Sequence, residues 1–207
     1  MKAHKKMFKK RQKIYLVIKR IIDLAGSILG ILILSPLLLI IAIITKISSK
    51  GPVLFKQERL GKDEKVFILL KFRSMKVDAV QIGAESISIE EQEAMMTKWG
   101  KFMRKTSLDE FPQLFNILTG KMSFIGPRPE MIGATDDLRK ARQNMNPSPY
   151  SVKPGLGGYA QIYLRRNHDP IKKAEYDSYY VKHFSFWLDI KLFLMSFLVL
   201  FGLYKGH

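Results

Sequence analysis

The sequence contains no cysteine. Disulfides, thiol nucleophiles and cysteine-ligated zinc or iron–sulfur sites are therefore excluded, and the absence is compatible with a reducing compartment. Histidine is scarce. The four (His4, His168, His183 and His207) are scattered, and none forms an H-E-x-x-H pair. Histidine-based metal chemistry and a Ser/His triad both lack support. There is no G-x-x-x-x-G-K-[ST] phosphate loop, no internal repeat and no low-complexity segment. Acidic residues are few, 18 against 35 Lys and Arg, for a net charge of +17. Chemistry then rests on carboxylates, lysines and arginines. The natural partner is anionic: nucleic acid, a phosphorylated small molecule or an acidic membrane surface. A length of 207 residues suits one domain, or a domain plus an appendage.

What is present begins with a basic arm. Residues 1–20 hold nine Lys or Arg and no acid, and residues 24–45 are 22 uncharged residues. A helix of that length spans a hydrocarbon core of about 30 Å. The run is longer than a signal-peptide core and no A-x-A-like cleavage site follows it. Ser35-Pro36 falls at its middle, and proline removes a backbone donor and predicts a kink. Lys46, Lys50, Lys56, Arg59 and Lys62 follow the run. Short basic flanks prefer the cytoplasmic side, and here both flanks are basic. A straight span and a re-entrant helix that bends at Ser35-Pro36 stand level on the residues alone. A polybasic segment against a membrane-length run reads as contact with anionic headgroups, not as a nucleic-acid arm.

Beyond residue 50, Val, Phe, Ile and Leu cluster in two runs around "GKDE" within 51–75, predicting a β-hairpin. Ser88 with Glu91 forms a capping-box pattern ahead of Met95, Trp99, Phe102 and Met103, predicting an amphipathic helix over 89–104. A helix is expected around 135–143, then a Pro/Gly/Ser-rich loop at 146–158. Asp169-Pro170 opens a further helix by N-cap and N1 preference. The apolar tail, Phe184 to Leu203, contains Asp189 and Lys191. The uncharged stretch after Lys191 is short for a span, so an interfacial or core helix is expected. "GLGGYA" (155–160) matches G-x-G-x-x-A, but no convincing strand precedes it and it reads as a turn-rich loop.

The stretch "TSLDEFPQ" (106–113) sets adjacent carboxylates, Asp109 and Glu110, among cations. A capping box from Ser107 to Glu110 would put Pro112 at the fifth helical position, facing the carbonyl of Leu108. A helix starting near Pro112 fits better and frees both carboxylates. Arg104 and Lys105 precede the pair, and Arg128 follows in "GPRP", where two prolines fix its backbone. Arginine forks match phosphate oxygens, and Lys71 and Arg73 of "KFRSM" add charge. Carboxylates among fixed cations point to a phosphorylated substrate with Mg²⁺, an ion that takes oxygen ligands and bridges phosphates.

Four ordered stretches now carry a resemblance: "KRIIDLAGSILGILILSPLLLI", "GPVLFKQERLGKDEKVFILLKFRSM", "RKTSLDEFPQLFNILTGKMSFIGPRPE" and "KPGLGGYAQI". Together they resemble the monotopic phosphoglycosyl transferases, bacterial sugar transferases that begin glycan assembly on a lipid. The length is similar to that family's minimal catalytic form. The resemblance implies a UDP-sugar donor, UMP release, a covalent phosphosugar-enzyme and polyprenol phosphate (undecaprenyl phosphate) as acceptor. It matches Asp109 to the nucleophile and Glu110 to its partner, with Mg²⁺ or positioning as the role of Glu110. It matches Lys71, Arg104 and Arg128 to residues around the phosphates, Ser35-Pro36 to the re-entrant break, and Lys19-Arg20 to the headgroup-facing anchor. The place it implies is the cytoplasmic face of the bacterial inner membrane, among membrane lipids and without nucleic acid.

The expected fold is α+β: a mainly helical membrane-associated domain with a small β-hairpin, an N-terminal re-entrant helix broken at Ser35-Pro36, and interfacial amphipathic helices. Its expected parts are a basic arm over 1–20, a membrane helix over 21–46, and a catalytic domain over 47–207. Relatives often read G-x-T-G-x-A-Q-V-N-G-R where this chain has Gly157 in place of Thr and Tyr163 near the Asn. The donor sugar is therefore left open, with an N-acetylated amino sugar favoured by the short form. A non-catalytic membrane-anchored module and a hydrolase that uses water as acceptor are the competing readings.

Overall fold

In a computed structural model, the structure describes residues 8–76, 94–132, 136–165, 169–200 and 202–204. The first element is a single helix, α1 (Lys10–Ser48), of 39 residues and about 58 Å in length. It takes in the second half of the basic arm. The expected break at Ser35-Pro36 is not an interruption, because the helix runs on through both residues. Pro36 has no N–H for the carbonyl of Leu32, four residues back, and the Ser35 hydroxyl donates to that carbonyl at 2.8 Å. A neighbouring side chain thus replaces the missing backbone donor, which keeps the apolar helix intact.

The hairpin expected around "GKDE" is present. Strands β1 (Leu54–Leu60) and β2 (Val66–Phe72) pair antiparallel, from Leu54 opposite Phe72 to Leu60 opposite Val66. Asp63 and Glu64 turn the chain with φ of 56° and 57°, the left-handed conformation that matches the strand twist. The helix expected over 89–104 is shorter where it is described. α2 (Lys98–Thr106) begins after Thr97, whose side chain accepts from the Gly100 N–H at 2.8 Å. Met96 is instead bridged to Met75 in β fashion, and Ser88 and Glu91 lie outside the described residues. α2 crosses so close to the end of β2 that a Cβ on Gly100 would lie 1.8 Å from the Ser74 carbonyl oxygen. Glycine is required there.

After α2 come α3 (Gln113–Leu118), β3 (Ser123–Ile125), β4 (Glu130–Met131) and α4 (Asp136–Asn144). β4 joins the hairpin as its third strand, on the β1 side. The segment expected as loop at 146–158 is more ordered. It holds a one-turn helix at Pro149–Ser151 and strand β5 (Gly155–Gly157), parallel to β3. Then follow α5 (Tyr159–Tyr163), α6 (Pro170–His183) and α7 (Phe186–Leu200). A three-residue strand and a five-residue helix do not make a dinucleotide-binding unit. Asp169 caps α6 as expected, accepting from Ile171 N and Lys172 N.

α1 stitches the molecule together. Its residues pack on all three apolar clusters: Tyr15 and Leu16 against the cluster of Ile125, Tyr180 and Leu192; Ile31 and Leu34 against Phe67, Leu114 and Ile117; Ile41 beside Phe72 and Met103. Polar bonds fasten both ends. Arg20 donates to the carbonyls of Ile117 and Leu118 at the C-terminus of α3, at 2.7 and 2.8 Å, where a cation suits the exposed carbonyls. Buried Asp23 accepts from Ser123 Oγ and Phe124 N, each at 3.0 Å. At the far end Trp99 Nε1 donates to Thr45 Oγ1 at 3.1 Å and Arg73 Nη2 to the Ser49 carbonyl at 2.7 Å.

Candidate active site

Asp109 and Glu110 lie on a single helical turn, Leu108–Glu110, between α2 and α3. Ser107 ends α2 in the left-handed conformation (φ 56°) and its side chain caps nothing, so the capping-box frame is not formed. Pro112 stands at the start of α3, as its fixed φ favours. Asn116 then ties α3 to the hairpin. Its side-chain amide donates to the Ile68 carbonyl at 2.7 Å and accepts from Leu70 N at 3.0 Å, copying a neighbouring strand. That tie brings the acidic turn against Lys71 on β2.

Lys71 Nζ is 2.8 Å from Glu110 Oε1 and 4.0 Å from Asp109 Oδ2. Arg128 Nη2 donates to the same Glu110 oxygen at 3.2 Å. Arg104 Nε donates to Ser74 Oγ at 3.0 Å and acts electrostatically on Asp109. The structure thus brings together all five residues expected at the site. The two carboxyls differ. Burial pushes the Asp109 carboxyl up, aided by the Glu110 charge and opposed by Lys71 and Arg104; the net direction is up. Burial also acts to raise Glu110, but Arg128 and Lys71 outweigh it and hold that group at about 2. Adjacent carboxyls whose environments drive them apart take different chemical roles.

A cleft of about 1340 Å³ opens beside the cluster, and Glu110, Arg59, Arg104, Lys105, Ser107 and Arg128 form its cationic end. Asp109 is not among its lining residues and is 6 % exposed. Lys19 and Arg20, expected to face lipid headgroups, are used inside the molecule. The Lys19 side chain is 12 % exposed and paired with Asp189, which also accepts from Tyr15 and Tyr180. Arg20 is spent on α3. A helix fastened along its length to a folded body offers these two cations nearer partners than lipid.

The turn that carries Arg128 is clamped by residues the sequence did not mark. Arg59 Nη1 donates to the Pro129 carbonyl at 3.2 Å and Arg142 Nη1 to the Arg128 carbonyl at 3.0 Å. Arg142 is buried, with Nη2 2.6 Å from Asp177 Oδ2 and Nη1 3.6 Å from Glu130 Oε2. Burial opposes its charge, and Asp177, Tyr150 and Glu130 together outweigh burial, so the guanidinium stays protonated. Tyr150 donates to Glu130, and its ring lies 5.8 Å from the guanidinium. β5 braces the other side of the turn: Gly155 N donates to the Pro127 carbonyl at 2.9 Å, and a Cβ there would lie 2.0 Å from Gly126 N. "GPRPE" shows fixed backbone; nothing local shows a buried Arg142 whose partner is 35 residues away.

The family model described as bacterial sugar transferase matches residues 14–202. The chain belongs to that family. Its relatives include the UDP-glucose:undecaprenyl-phosphate glucose-1-phosphate transferase of Klebsiella pneumoniae, 41 % identical over 188 residues, covering 88 % of this chain and 40 % of the relative. The UDP-N-acetylgalactosamine-undecaprenyl-phosphate N-acetylgalactosaminephosphotransferase of Aeromonas hydrophila is 41 % identical over 181 residues, covering 86 % and 42 %. The chain therefore spans about two fifths of the length of these relatives. The exopolysaccharide production protein PSS of Rhizobium leguminosarum bv. phaseoli is 38 % identical over 184 residues, covering 86 % of this chain and 92 % of the relative. The sugar transferase match takes in α1 from Ile14 onward, the acidic turn and the Arg128 turn.

Proposed function

We propose that this protein transfers a phosphosugar from a UDP-sugar to polyprenol phosphate, releasing UMP, as the first membrane step of a bacterial glycan. The observation that carries the reading is the acidic turn: two adjacent carboxyls shifted in opposite directions, with Lys71 and Arg128 on Glu110, Lys71 and Arg104 acting on Asp109, and Glu110 lining the cationic end of a cleft. Relatives that match across most of the chain are named for that reaction with two different donors. Names that disagree on the sugar leave it open.

In the proposed chemistry the donor's diphosphate displaces Glu110 from Arg128 and shares Lys71, which opens Asp109 to it. An Asp109 oxygen attacks the β-phosphorus. The bond from that phosphorus to the bridging oxygen breaks, and UMP leaves with the electron pair. The phosphate of the acceptor lipid then attacks the same phosphorus, and the acyl-phosphate bond breaks to return the Asp109 carboxylate. Covalent catalysis divides one difficult transfer into two displacements. A carboxylate made more basic by burial is the better nucleophile, and fixed cations stabilise the charge that builds on the phosphoryl oxygens.

Mg²⁺ fits this donor set. Among the described residues no three acidic or histidine side chains converge, but Mg²⁺ takes one or two carboxylates plus substrate phosphates and keeps several waters. Glu110, ionised and with both cations on Oε1, is the residue that would hold it. When bound, the ion would supply further charge neutralisation to the diphosphate.

For topology the proposal is a monotopic arrangement at the cytoplasmic face of the inner membrane. In a straight span, Arg20–Asp23 and Thr45–Ser49 would lie in opposite aqueous compartments. One folded body bonds to both ends, which supports a helix whose two ends stay on one side of the membrane. The test is UMP release from a panel of UDP-sugars with polyprenol phosphate and Mg²⁺, beside Asp109→Asn. Lipid-dependent UMP from wild type alone is the expected result. UDP as product, or turnover with water in place of lipid, would overturn it.

A further inference from the structure

The cleft does not end at the cations. It continues into a gap between α1 and α7, where its lining turns apolar. On α1 the facing residues are Ile22, Gly26, Gly30 and Leu34; on α7 they are Phe186, Ile190, Phe193, Phe197 and Leu200. Both sets repeat every three or four residues, so each is one stripe of its helix. The floor is Phe124 and Ile125 of β3 with Leu156 and Gly157 of β5. The Lys19–Asp189 pair ties the two helices. Ile22 and the five α7 residues are 36–44 % exposed, so these side chains line an open groove and do not complete a core.

A different stripe of α1 is available to bulk lipid: Ile21, Ile28, Leu32 and Leu39 all project from the helix side opposite the groove and are exposed. The groove therefore offers something a bilayer face does not. Over one continuous cavity it runs from Arg104, Lys105 and Arg128 to a channel of aromatic and aliphatic side chains. The matching ligand is a linear amphiphile with an anionic head and a long apolar tail.

We propose that the α1–α7 groove holds the isoprenoid tail of the acceptor, with its phosphate at the Arg104–Arg128 end. The inference rests on the transferase reading given above and adds the path of the lipid to it. Groove walls formed by two membrane-associated helices let the tail enter sideways from the bilayer. Its head then reaches the acidic turn without the chain leaving an apolar surface, which limits the cost of exposing it to water.

The test is photo-crosslinking of the full chain in lipid nanodiscs, using a polyprenyl phosphate with a diazirine within the tail. Labels are expected on α7 at Phe193 and Phe197 and on α1 at Ile22 and Gly26. Unlabelled polyprenyl phosphate should compete and phosphatidylglycerol should not. Phe197→Glu should cut labelling about tenfold or more, as expected for a charge placed in an apolar site, while Phe197→Leu retains it. Labels on Ile21, Ile28, Leu32 and Leu39, or equal competition by phosphatidylglycerol, would overturn the proposal. UMP release by the wild type is read in parallel. Groove labelling without UMP would remove the transferase and keep the lipid site; UMP with labels only on the outer stripe would do the reverse.

Discussion

Arg142 donates through Nη1 to the backbone carbonyl of Arg128 at 3.0 Å, while its Nη2 pairs with Asp177. A buried guanidinium on α4 thus fixes the peptide from which the Arg128 guanidinium projects toward Glu110. Arg142→Met should destabilise the fold by about 3–5 kcal/mol, because Asp177 and Glu130 are left buried without a cation. Arg142→Lys keeps the charge and loses the fork, so Arg128 loses its register. With this variant kcat for UMP formation should fall about tenfold, roughly 1.4 kcal/mol, with little change in Tm. An unchanged kcat in a well-folded Arg142→Lys protein would reduce the cluster to a structural role.

The acidic turn makes opposite predictions for its two members. Glu110 sits at about 2 in the fold against an ordinary 4.5, and its side chain is 20 % exposed. A depressed carboxyl stabilises the fold above its unfolded value and loses that stabilisation as pH falls toward the folded value. The separation corresponds to about 3 kcal/mol, lost between about pH 5 and pH 2. Denaturant titrations across that window should show the loss in wild type and a flatter profile in Glu110→Gln. Asp109 is shifted the other way, so its ionisation costs stability at neutral pH. Asp109→Asn should therefore be as stable as wild type or more so at pH 7, while UMP release falls about 10³-fold or more.

Lys71 is the strongest influence opposing burial at Asp109. Removing its charge by Lys71→Met should move Asp109 further up. If Asp109 is the nucleophile, as proposed, the acid limb of the kcat/KM profile reports its ionisation in the free enzyme, and it should shift to higher pH in this variant. A limb that stays in place while kcat falls would assign Lys71 to phosphate binding alone.

Sequence reading reached the elements whose signals are local. Two apolar runs about a polar turn gave β1 and β2, Asp169-Pro170 gave the start of α6, and Pro112 gave the start of α3. It also picked out five residues, Lys71, Arg104, Asp109, Glu110 and Arg128, that the fold brings together. It missed what depends on distant partners. Lys19 read as a headgroup anchor because nothing nearby announces Asp189, 170 residues on. Nothing in the sequence singled out Arg142, because Asp177 and Glu130 reach it only in three dimensions. Within the described part of the helix expected over 89–104, the bridge of Met96 to Met75 is non-local and interrupts the helical spacing ahead of α2.

The same contrast governs Ser35-Pro36, where the local signal marked the donor that proline removes, predicted a break that the helix does not show, and was silent about serine. If the Ser35 hydroxyl replaces the donor that Pro36 lacks, the two residues are coupled through the Leu32 carbonyl. Ser35→Ala should then destabilise the protein by about 1–3 kcal/mol, the cost of an unpaired carbonyl away from water. Pro36→Ala restores a backbone donor to that carbonyl, so in its presence Ser35→Ala should cost nearly nothing. Thermal unfolding of the four proteins of this cycle in one detergent gives the coupling directly. Additive effects would mean that the Leu32 carbonyl is satisfied without Ser35, leaving the hydroxyl no part in keeping α1 continuous.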